Sequence, residues 1–194
     1  EKLGLPRLDG QPVASDPRAV WRLFAERFFL FRATPSRTWF EYVMAEVFGI
    51  SERLGPDNAD TMYDAVSAKL ETPEFRIRAL FDRFNIEALS TTDSPLDDLS
   101  HHAAVRDSPW NGRIIPAFRP DPVIDPEFEG FAEGVAVLGA ITGEDTTAWW
   151  GYLKALATRR EYFKAMGATS TDHGHPTAKT ADLGPGECES LFSK

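Results

Sequence analysis

The sequence contains almost no cysteine, and it lacks the long apolar runs and leader sequences that direct proteins to membranes. Its one cysteine, Cys188, lies in a polar stretch, which excludes a disulfide framework and is typical of proteins in a reducing compartment. No apolar run approaches the roughly eighteen residues that a membrane-spanning helix needs. A basic and apolar leader is absent as well. We therefore expect a cytoplasmic protein that has no membrane partner.

Basic residues are outnumbered, with 21 Lys and Arg against 30 Asp and Glu and a net charge of -9. A nucleic-acid-binding face needs clustered basic side chains, and here they are scattered, so we expect no nucleic-acid partner. The glycine-rich motifs of nucleotide-binding loops, the G-x-S-x-G motif and the Cys-x-x-Cys motif are all missing. The composition is otherwise that of an ordinary globular protein, with 42% hydrophobic and 26% charged residues.

The first pattern that is present is helical and covers residues 1–84, which we interpret as a helical subdomain. Helix starts are expected at Asp16-Pro17, at Thr34-Pro35, near Asn58 and after Pro73. Apolar residues recur at helical spacing along this part of the chain. Those expected to face inward include Phe24, Phe28, Trp39, Phe40, Met62, Leu70, Phe81 and Phe84. Such aromatic stripes favour core packing over a ligand-binding role.

Residues 85–194 show a different pattern, in which a short apolar strand, a loop and a helix follow one another repeatedly. Strands are expected at 85–90, 113–118 and 166–170, and a helix at 95–106. This alternation predicts an α/β fold with parallel strands and right-handed crossovers. Because three such units cannot close an eight-stranded barrel, either the sheet is open or the rest of a barrel lies outside this chain.

Each predicted strand runs into polar side chains that can carry charge. Asp93 follows the first strand, Arg119 the second, and Asp172 and His173 the third. The carboxyl ends of parallel strands point to one edge of a sheet, where binding sites are built. We therefore expect Asp93, Arg119 and Asp172 to lie around one pocket at the same edge.

The residue types at this edge allow more than one role. Arg119, stiffened between Phe118 and Pro120, is suited to bidentate contact with a carboxylate or with a pair of hydroxyl oxygens. It is equally suited to a structural ion pair with Asp121 or Asp93. For Asp93, a role as a helix cap competes with a role as a hydrogen-bond acceptor for ligand hydroxyl groups. The sequence leaves these alternatives open.

Two histidine pairs raise the question of a metal site. His173 and His175 are two residues apart, the spacing at which an extended segment can offer both rings to one ion. Gly174 and the proline after His175 place them in a loop instead, and no second cluster supplies a third ligand. His101 and His102 are neighbours on a predicted helix, so their rings point apart. We predict no metal ligands within this chain.

Taken together, an ordered series of motifs resembles one family, the uronate isomerases (glucuronate isomerases) of the amidohydrolase superfamily. The resemblance extends over about residues 20–192. The motifs that carry it are Thr34-Pro35 with Trp39, Phe48-Gly49-Ile50, Leu54-Gly55-Pro56-Asp57, Lys69-Leu70-x-Thr72-Pro73-x-Phe75, Thr91-Thr92-Asp93-x-Pro95-x-Asp97-x-Leu99-x-x-His102, Phe118-Arg119-Pro120-Asp121, Arg159-Arg160-x-x-Phe163 and Asp172-His173-Gly174.

The resemblance implies part of a (β/α)8 barrel of the TIM type, in which 1–84 is an insertion-like helical subdomain and 85–194 supplies β/α units. It implies a small sugar acid as substrate, with D-glucuronate and D-fructuronate, or D-galacturonate and D-tagaturonate, interconverted through an enediol. A homo-oligomer is compatible with it. The first and last barrel strands of the family are expected outside this chain, so we expect the 194 residues alone to be inactive.

The same resemblance suggests roles for individual residues. It implies that Arg119 contacts the substrate and that Asp172 lies in the active site. We expect Asp172 to be catalytic, and Asp93 and His173 to bind the substrate together with Arg119. The family uses a divalent metal, expected to be zinc, whose ligands fall outside this chain, and a His-Tyr pair that is also unmatched here.

Two other functions stay open from the sequence. One is a metal-dependent hydrolase on the same superfamily scaffold, and the other is a non-catalytic, acidic interaction module.

Overall fold

The computed structural model describes residues 16–174 and 179–193, and the chain forms two compact units that divide between Arg83 and Phe84. This division lies one residue before the boundary expected from the sequence. Each unit has its own hydrophobic core. The first unit is helical, and the second combines helices with a small parallel sheet, so the fold is α/β.

Helices in the first unit begin where the sequence predicts them. The Asp16 carboxylate accepts a hydrogen bond from the Arg18 backbone N–H at 2.9 Å, and the Thr34 hydroxyl accepts one from the Arg37 N–H at 3.3 Å. Both caps are followed by proline, whose fixed φ suits the first turn. The helices are α1 (Pro17–Glu26), α2 (Pro35–Tyr42), which continues into a π-helical turn (Val43–Val47), α3 (Ala59–Leu70) and α4 (Ile77–Arg83), with 3-10 turns at Phe28–Phe31, Pro56–Asn58 and Pro73–Phe75.

Aromatic side chains fill the core of this unit, as the stripes predict. Phe24 packs edge-on against Phe28, Phe31 and Phe40, with ring centroids 5.4 to 5.5 Å apart. The Trp21 indole N–H donates to the Ala59 carbonyl at 2.8 Å, which ties α1 to the start of α3.

Three residues expected to face inward in this part of the chain are exposed instead. Trp39 is 69% exposed, Leu70 51% and Phe84 50%. Neighbouring residues on a helix are about 100° apart, so the packing of Phe40 turns Trp39 away from the core. Leu70 is the last residue of α3, and Phe84 follows the last residue of α4, so both lie at helix ends.

The sheet of the second unit consists of two parallel strands, β1 (Leu89–Asp93) and β2 (Ile114–Phe118), with Leu89 opposite Ile114 and Asp93 opposite Phe118. A third segment pairs with β2 at one point, between Phe118 and Thr171. The Asp172 N–H donates to the Phe118 carbonyl at 3.1 Å, and the Phe118 N–H donates to the Ser170 carbonyl at 3.2 Å. All three segments run in the same direction.

Two of the predicted strands differ from the observed ones. The first begins at Leu89 rather than residue 85, because Asn85 takes a left-handed conformation with φ +52°, and it includes Thr91 and Thr92. A regular strand at 166–170 does not form within the part of the chain that the structure describes. Gly167, with φ +100°, turns the chain after a helix that continues to Ala165, so only the bridge at Thr171 is left.

The helix expected at 95–106 is also shorter. The carboxylates of Asp97 and Asp98 accept hydrogen bonds from the N–H groups of Leu99 and Ser100, at 2.6 and 2.8 Å. These turns and a left-handed Leu99 delay the helix until Ser100. The helices of this unit are α5 (Ser100–Arg106), α6 (Asp121–Ile124), α7 (Phe131–Thr142), α8 (Trp149–Ala165) and α9 (Pro185–Phe192).

Helix α8 holds the end of β2 and the loop after β1. Phe163 packs edge-on against Phe118 with ring centroids 5.1 Å apart. The buried Arg159 donates from Nε to the Pro95 carbonyl and from Nη2 to the Asp97 carbonyl, both at 2.6 Å. Burial holds the pKa of Arg159 below its ordinary value. The Tyr152 hydroxyl donates to the Val123 carbonyl at 2.7 Å, and burial raises the pKa of Tyr152 to about 12.

Within residues 16–174 and 179–193, no helix combines the length and apolar character that a bilayer-spanning segment requires.

Candidate active site

Three polar residues, Asp93, Arg119 and Asp172, lie where β1, β2 and the bridged segment end. The Arg119 N–H donates to the Asp93 carbonyl at 2.9 Å, so the ends of the two strands are hydrogen-bonded side by side. The Asp172 N–H bonds to the carbonyl of Phe118, the residue before Arg119. Asp93, Arg119 and Asp172 therefore lie at one edge of the sheet, as the strand pattern predicts, but of the three only Asp93 and Arg119 line the cleft that the described residues form there.

Arg119 is the centre of this edge. Its Nε donates to Asp121 Oδ2 at 3.0 Å, and its Nη1 lies 3.2 Å from Asp172 Oδ2. The structural ion pair with Asp121 that the sequence left open is present, whereas the Asp93 side chain is not a partner. A guanidinium has five N–H donors, and these contacts use two of them. Its side chain is 42% exposed, so the structural pairing leaves the guanidinium accessible to a ligand.

Asp121 holds two parts of the site together, although sequence reasoning did not single it out as a site residue. Oδ1 accepts the Gly174 N–H at 2.7 Å, and Oδ2 accepts Arg119. Burial favours a raised pKa for Asp121, but the hydrogen bonds from Gly174 and Arg119 outweigh it, and the pKa stays below its ordinary value. The Arg-Pro-Asp motif was the available signal, because it places this carboxylate beside Arg119 across one turn.

Asp172 and Asp93 differ in their surroundings. The Asp172 side chain is 43% exposed and also accepts from the Thr92 hydroxyl at 3.4 Å. Asp93 is mostly buried, and its Oδ2 accepts from the Thr91 hydroxyl at 2.7 Å. The role of helix cap, one of the two alternatives that the sequence left open for Asp93, is not the one observed, since Asp97 and Asp98 make the turns before α5.

His173, the fourth predicted site residue, follows Asp172 in the chain. It is exposed and does not line the cleft that the described residues form. Its contact with substrate stays a prediction. His175, the other half of the histidine pair, lies outside the described residues.

The cleft at this edge has a volume of about 310 Å³. Arg119 is the basic member of its lining, which is otherwise rich in carboxylates and hydroxyls and includes the ring of Phe128. The acceptors suit a small ligand with hydroxyl groups, and Arg119 offers a contact for an anionic group of that ligand. The lining residues are Thr92, Asp93, Ser94, Arg119, Asp121, Pro122, Asp125, Phe128 and Gly174.

The carboxylates of the cleft do not form a metal site by themselves. In the described ranges, no group of three His, Cys, Asp or Glu side chains is placed to hold an ion. Asp121 is instead paired with Arg119, which also pairs with Asp172, a carboxylate that is not part of the cleft lining. The Arg119 guanidinium, a cation of the protein's own, thus stands between these two carboxylates.

The fold and the cleft together define a class, an α/β protein with a cleft at the carboxyl ends of its parallel strands. A model of the glucuronate isomerase family matches residues 13–194. The chain is 60% identical over 185 residues to the uronate isomerase of Rhizorhabdus wittichii, covering 95% of this chain and 39% of that protein. It is 55% identical over 194 residues to the uronate isomerase of Rhizobium meliloti, covering 100% and 41%.

Solved structures agree with the sequence relatives. The crystal structure of glucuronate isomerase from Caulobacter crescentus superposes with a TM-score of 0.88 at 49% identity, covering 95% of this chain and 39% of that one. The uronate isomerase of Thermotoga maritima superposes with a TM-score of 0.83 at 27% identity, covering 93% and 40%. The chain belongs to the glucuronate isomerase family, and it spans 39% to 41% of the length of the two curated relatives above.

Proposed function

We propose that the full-length protein containing this chain is a uronate isomerase that interconverts D-glucuronate with D-fructuronate, and D-galacturonate with D-tagaturonate. The observation that carries the proposal is Arg119, held by Asp121 and Asp172 at an accessible cleft in a chain of the glucuronate isomerase family. A uronate offers a carboxylate and several hydroxyls, the groups that this lining is suited to bind.

The reaction determines which roles must be filled. Aldose–ketose isomerisation moves a proton between neighbouring carbons through an enediol, so it needs a base, a stabiliser of the developing oxyanion and a means of holding the substrate. We assign binding of the carboxylate or of the reacting oxygens to Arg119, and hydroxyl recognition to Asp93. To Asp172 we assign the orientation of the reacting group or the transfer of its proton.

The two carboxylates beside Arg119 are suited to different tasks. Asp121 is buried and doubly hydrogen-bonded, so it stays in place as a fixed anion behind the guanidinium. Asp172 is partly exposed and makes a single contact with Arg119, and an exposed pair of this kind contributes at most about 1 kcal/mol. A uronate oxygen therefore displaces Asp172 from Arg119 at small cost, and the freed carboxylate can accept or return a proton.

The same proposal includes the architecture of the whole enzyme. We propose that β1, β2 and the segment at Thr171 belong to a (β/α)8 barrel completed by residues outside this chain, with 1–84 as an insertion-like helical subdomain. A divalent metal, zinc in our proposal, would supply charge stabilisation to the substrate oxygens from ligands outside this chain. A cytoplasmic location and a homo-oligomeric assembly are part of the same proposal.

We expect the full-length protein to convert D-glucuronate or D-galacturonate into the matching ketose. In D₂O it should incorporate deuterium at C1 of the ketose and at C2 of the recovered aldose, because the proton carried through the enediol exchanges with solvent. The measurement is NMR of the sugar over time. Hydrolysis of amide or ester test substrates without ketose formation would instead identify a hydrolase, and failure to bind any uronate would favour an interaction module.

Replacing Gly174 by Ala tests whether the Arg119 geometry matters for this activity. A Cβ at Gly174 would lie 2.8 Å from Arg119 Nη2 and 3.1 Å from Asp121 Oδ1, too close for both groups to keep their positions. We expect Gly174→Ala to lower kcat/KM for uronates by about tenfold because the guanidinium must shift, with little loss of stability, since the tip of a flexible, partly exposed side chain can move aside. Steady-state kinetics and thermal unfolding measure the two effects.

The matched control is Gly186→Ala, because a Cβ at Gly186 meets no atom within 4 Å. This control should keep normal kinetics. A Gly174→Ala enzyme with unchanged kcat/KM would show that the position of the guanidinium does not limit the reaction.

A further inference from the structure

A chain of hydrogen bonds links Asp93 to Thr91 on the same strand and to His102 on α5. The Thr91 hydroxyl is 2.7 Å from Asp93 Oδ2 and 2.7 Å from His102 Nε2 on α5. His102 Nε2 is itself 3.6 Å from Asp93 Oδ2. The His102 and Asp93 side chains are 10% and 15% exposed, so solvent competes little for these contacts.

The position of each proton in this series of hydrogen bonds follows from which atoms can only accept. A threonine hydroxyl carries one proton, and an ionised carboxylate can only accept. With Asp93 ionised, the Thr91 proton must point to Asp93 Oδ2, since otherwise two acceptors would face each other at 2.7 Å. His102 must then donate to Thr91 from Nε2. The assigned order is His102 Nε2–H to Thr91 Oγ1–H to Asp93 Oδ2, and a neutral His102 ring carries its proton on Nε2.

The pleat of β1 places Thr91 and Thr92 on opposite faces of the strand, where they make different contacts. Residues two apart on a strand share a face, so Thr91 and Asp93 point the same way and Thr92 points the other way. Thr91 holds Asp93, while the Thr92 hydroxyl contacts Asp172. Thr91 bonds to Oδ2, and because a carboxylate has two acceptor oxygens, Oδ1 can accept from a ligand in the cleft that Asp93 lines.

We propose that His102 and Thr91 are positioning residues that hold Asp93 ready to accept a substrate hydroxyl, an inference that rests on the proposed isomerase function. Neither residue lines the cleft as the described residues form it, and both act through Asp93. Asp93 held in this way prefers a ligand that donates a hydroxyl group to it. An analogue that lacks this hydroxyl leaves the Asp93 carboxylate without a hydrogen bond.

The test uses the full-length enzyme and near-isosteric changes. Thr91→Val removes the hydroxyl, and His102→Met removes the ring donor. We expect each to lower kcat/KM for the uronate about tenfold, mainly through KM, because Asp93 loses its fixed orientation. Thr91→Ser keeps a hydroxyl, and the side-chain amide of His102→Gln can replace the Nε2 donor, so both should recover most of the loss. His101→Gln, at the exposed neighbouring position, is the matched control.

A double-mutant cycle separates positioning from general structural damage. If Thr91 acts through Asp93, adding Thr91→Val to Asp93→Asn should cause little further loss of kcat/KM, whereas a merely structural role would give additive losses. Additive losses, or a Thr91→Val enzyme with normal kinetics, would overturn the proposal.

Nitrogen-15 NMR of histidine-labelled protein gives a readout that does not need activity. The His102 signals, identified by their absence from His102→Gln, should report a proton on Nε2. A neutral ring protonated only on Nδ1 would overturn the proton order and with it the proposal. If the wild-type protein shows no uronate turnover, the proposed function fails first, and the NMR result still decides the proton order separately.

Discussion

Arg119→Lys should lower kcat/KM of the full-length enzyme for uronates by about a hundredfold or more, with a much smaller effect on stability. Arginine reaches Asp121 through Nε and Asp172 through Nη1 and still has donors left for a substrate. Lysine keeps the charge, so Asp121 retains a counter-ion, but a single ammonium cannot reproduce the planar fork or its spacing. Kinetics on D-glucuronate and D-galacturonate, with thermal unfolding alongside, measure both effects.

Arg106→Lys is the matched control for this substitution. Arg106 pairs with its neighbour Asp107 on an exposed surface and contacts the sulfur of Met166 at 3.4 Å. We expect its change to lysine to leave the kinetics at the wild-type level. Near-normal kinetics of Arg119→Lys itself would contradict a substrate-binding role for the guanidinium fork.

The isolated 194-residue chain should have no measurable isomerase activity, whereas the full-length protein should have it. The described residues contain no cluster able to hold a metal ion, and the proposed enzyme needs one to stabilise charge on the substrate oxygens. Among the same residues, β1 is paired on one side only, which leaves backbone groups of a strand edge unpaired. The residues of the cleft can supply neither the metal ligands nor a partner strand for β1.

This comparison is an assay of both proteins side by side on D-glucuronate and D-galacturonate, with added zinc or manganese. Circular dichroism and thermal unfolding show whether the isolated chain is folded. Turnover by the isolated chain comparable to that of the full-length protein would mean that these residues suffice for the reaction, and that the proposed role of residues outside this chain is wrong.

Features set by neighbouring residues could be predicted from the sequence. Asp16 and Thr34 cap helices because their side chains reach N–H groups two or three residues on, and proline follows each. The placement of Asp93 and Arg119 at one edge follows from two parallel strands that end in polar residues. Both predictions needed only short-range patterns and the geometry of parallel pairing.

Features that depend on competing turns or distant contacts could not be predicted. The start of α5 is set by Asp97 and Asp98, which hold the chain in turns that also fit a helix-start pattern. The bonding of Asp93 to Thr91 and His102 requires α5 to pack beside β1, and no spacing rule specifies that contact. The sequence pattern predicts which residues lie at the ends of paired strands, but it does not predict that His102 of α5 contacts the Asp93 region.

The most direct test of the account is a structure of the full-length protein with D-glucuronate bound. We expect a carboxylate or reacting oxygen of the sugar within about 3.2 Å of the Arg119 guanidinium, and a hydroxyl within the same distance of Asp93. Asp172 should then have moved away from Arg119 Nη1. A sugar bound elsewhere, with the Arg119–Asp172 contact unchanged, would contradict the assignment of this cleft as the uronate site.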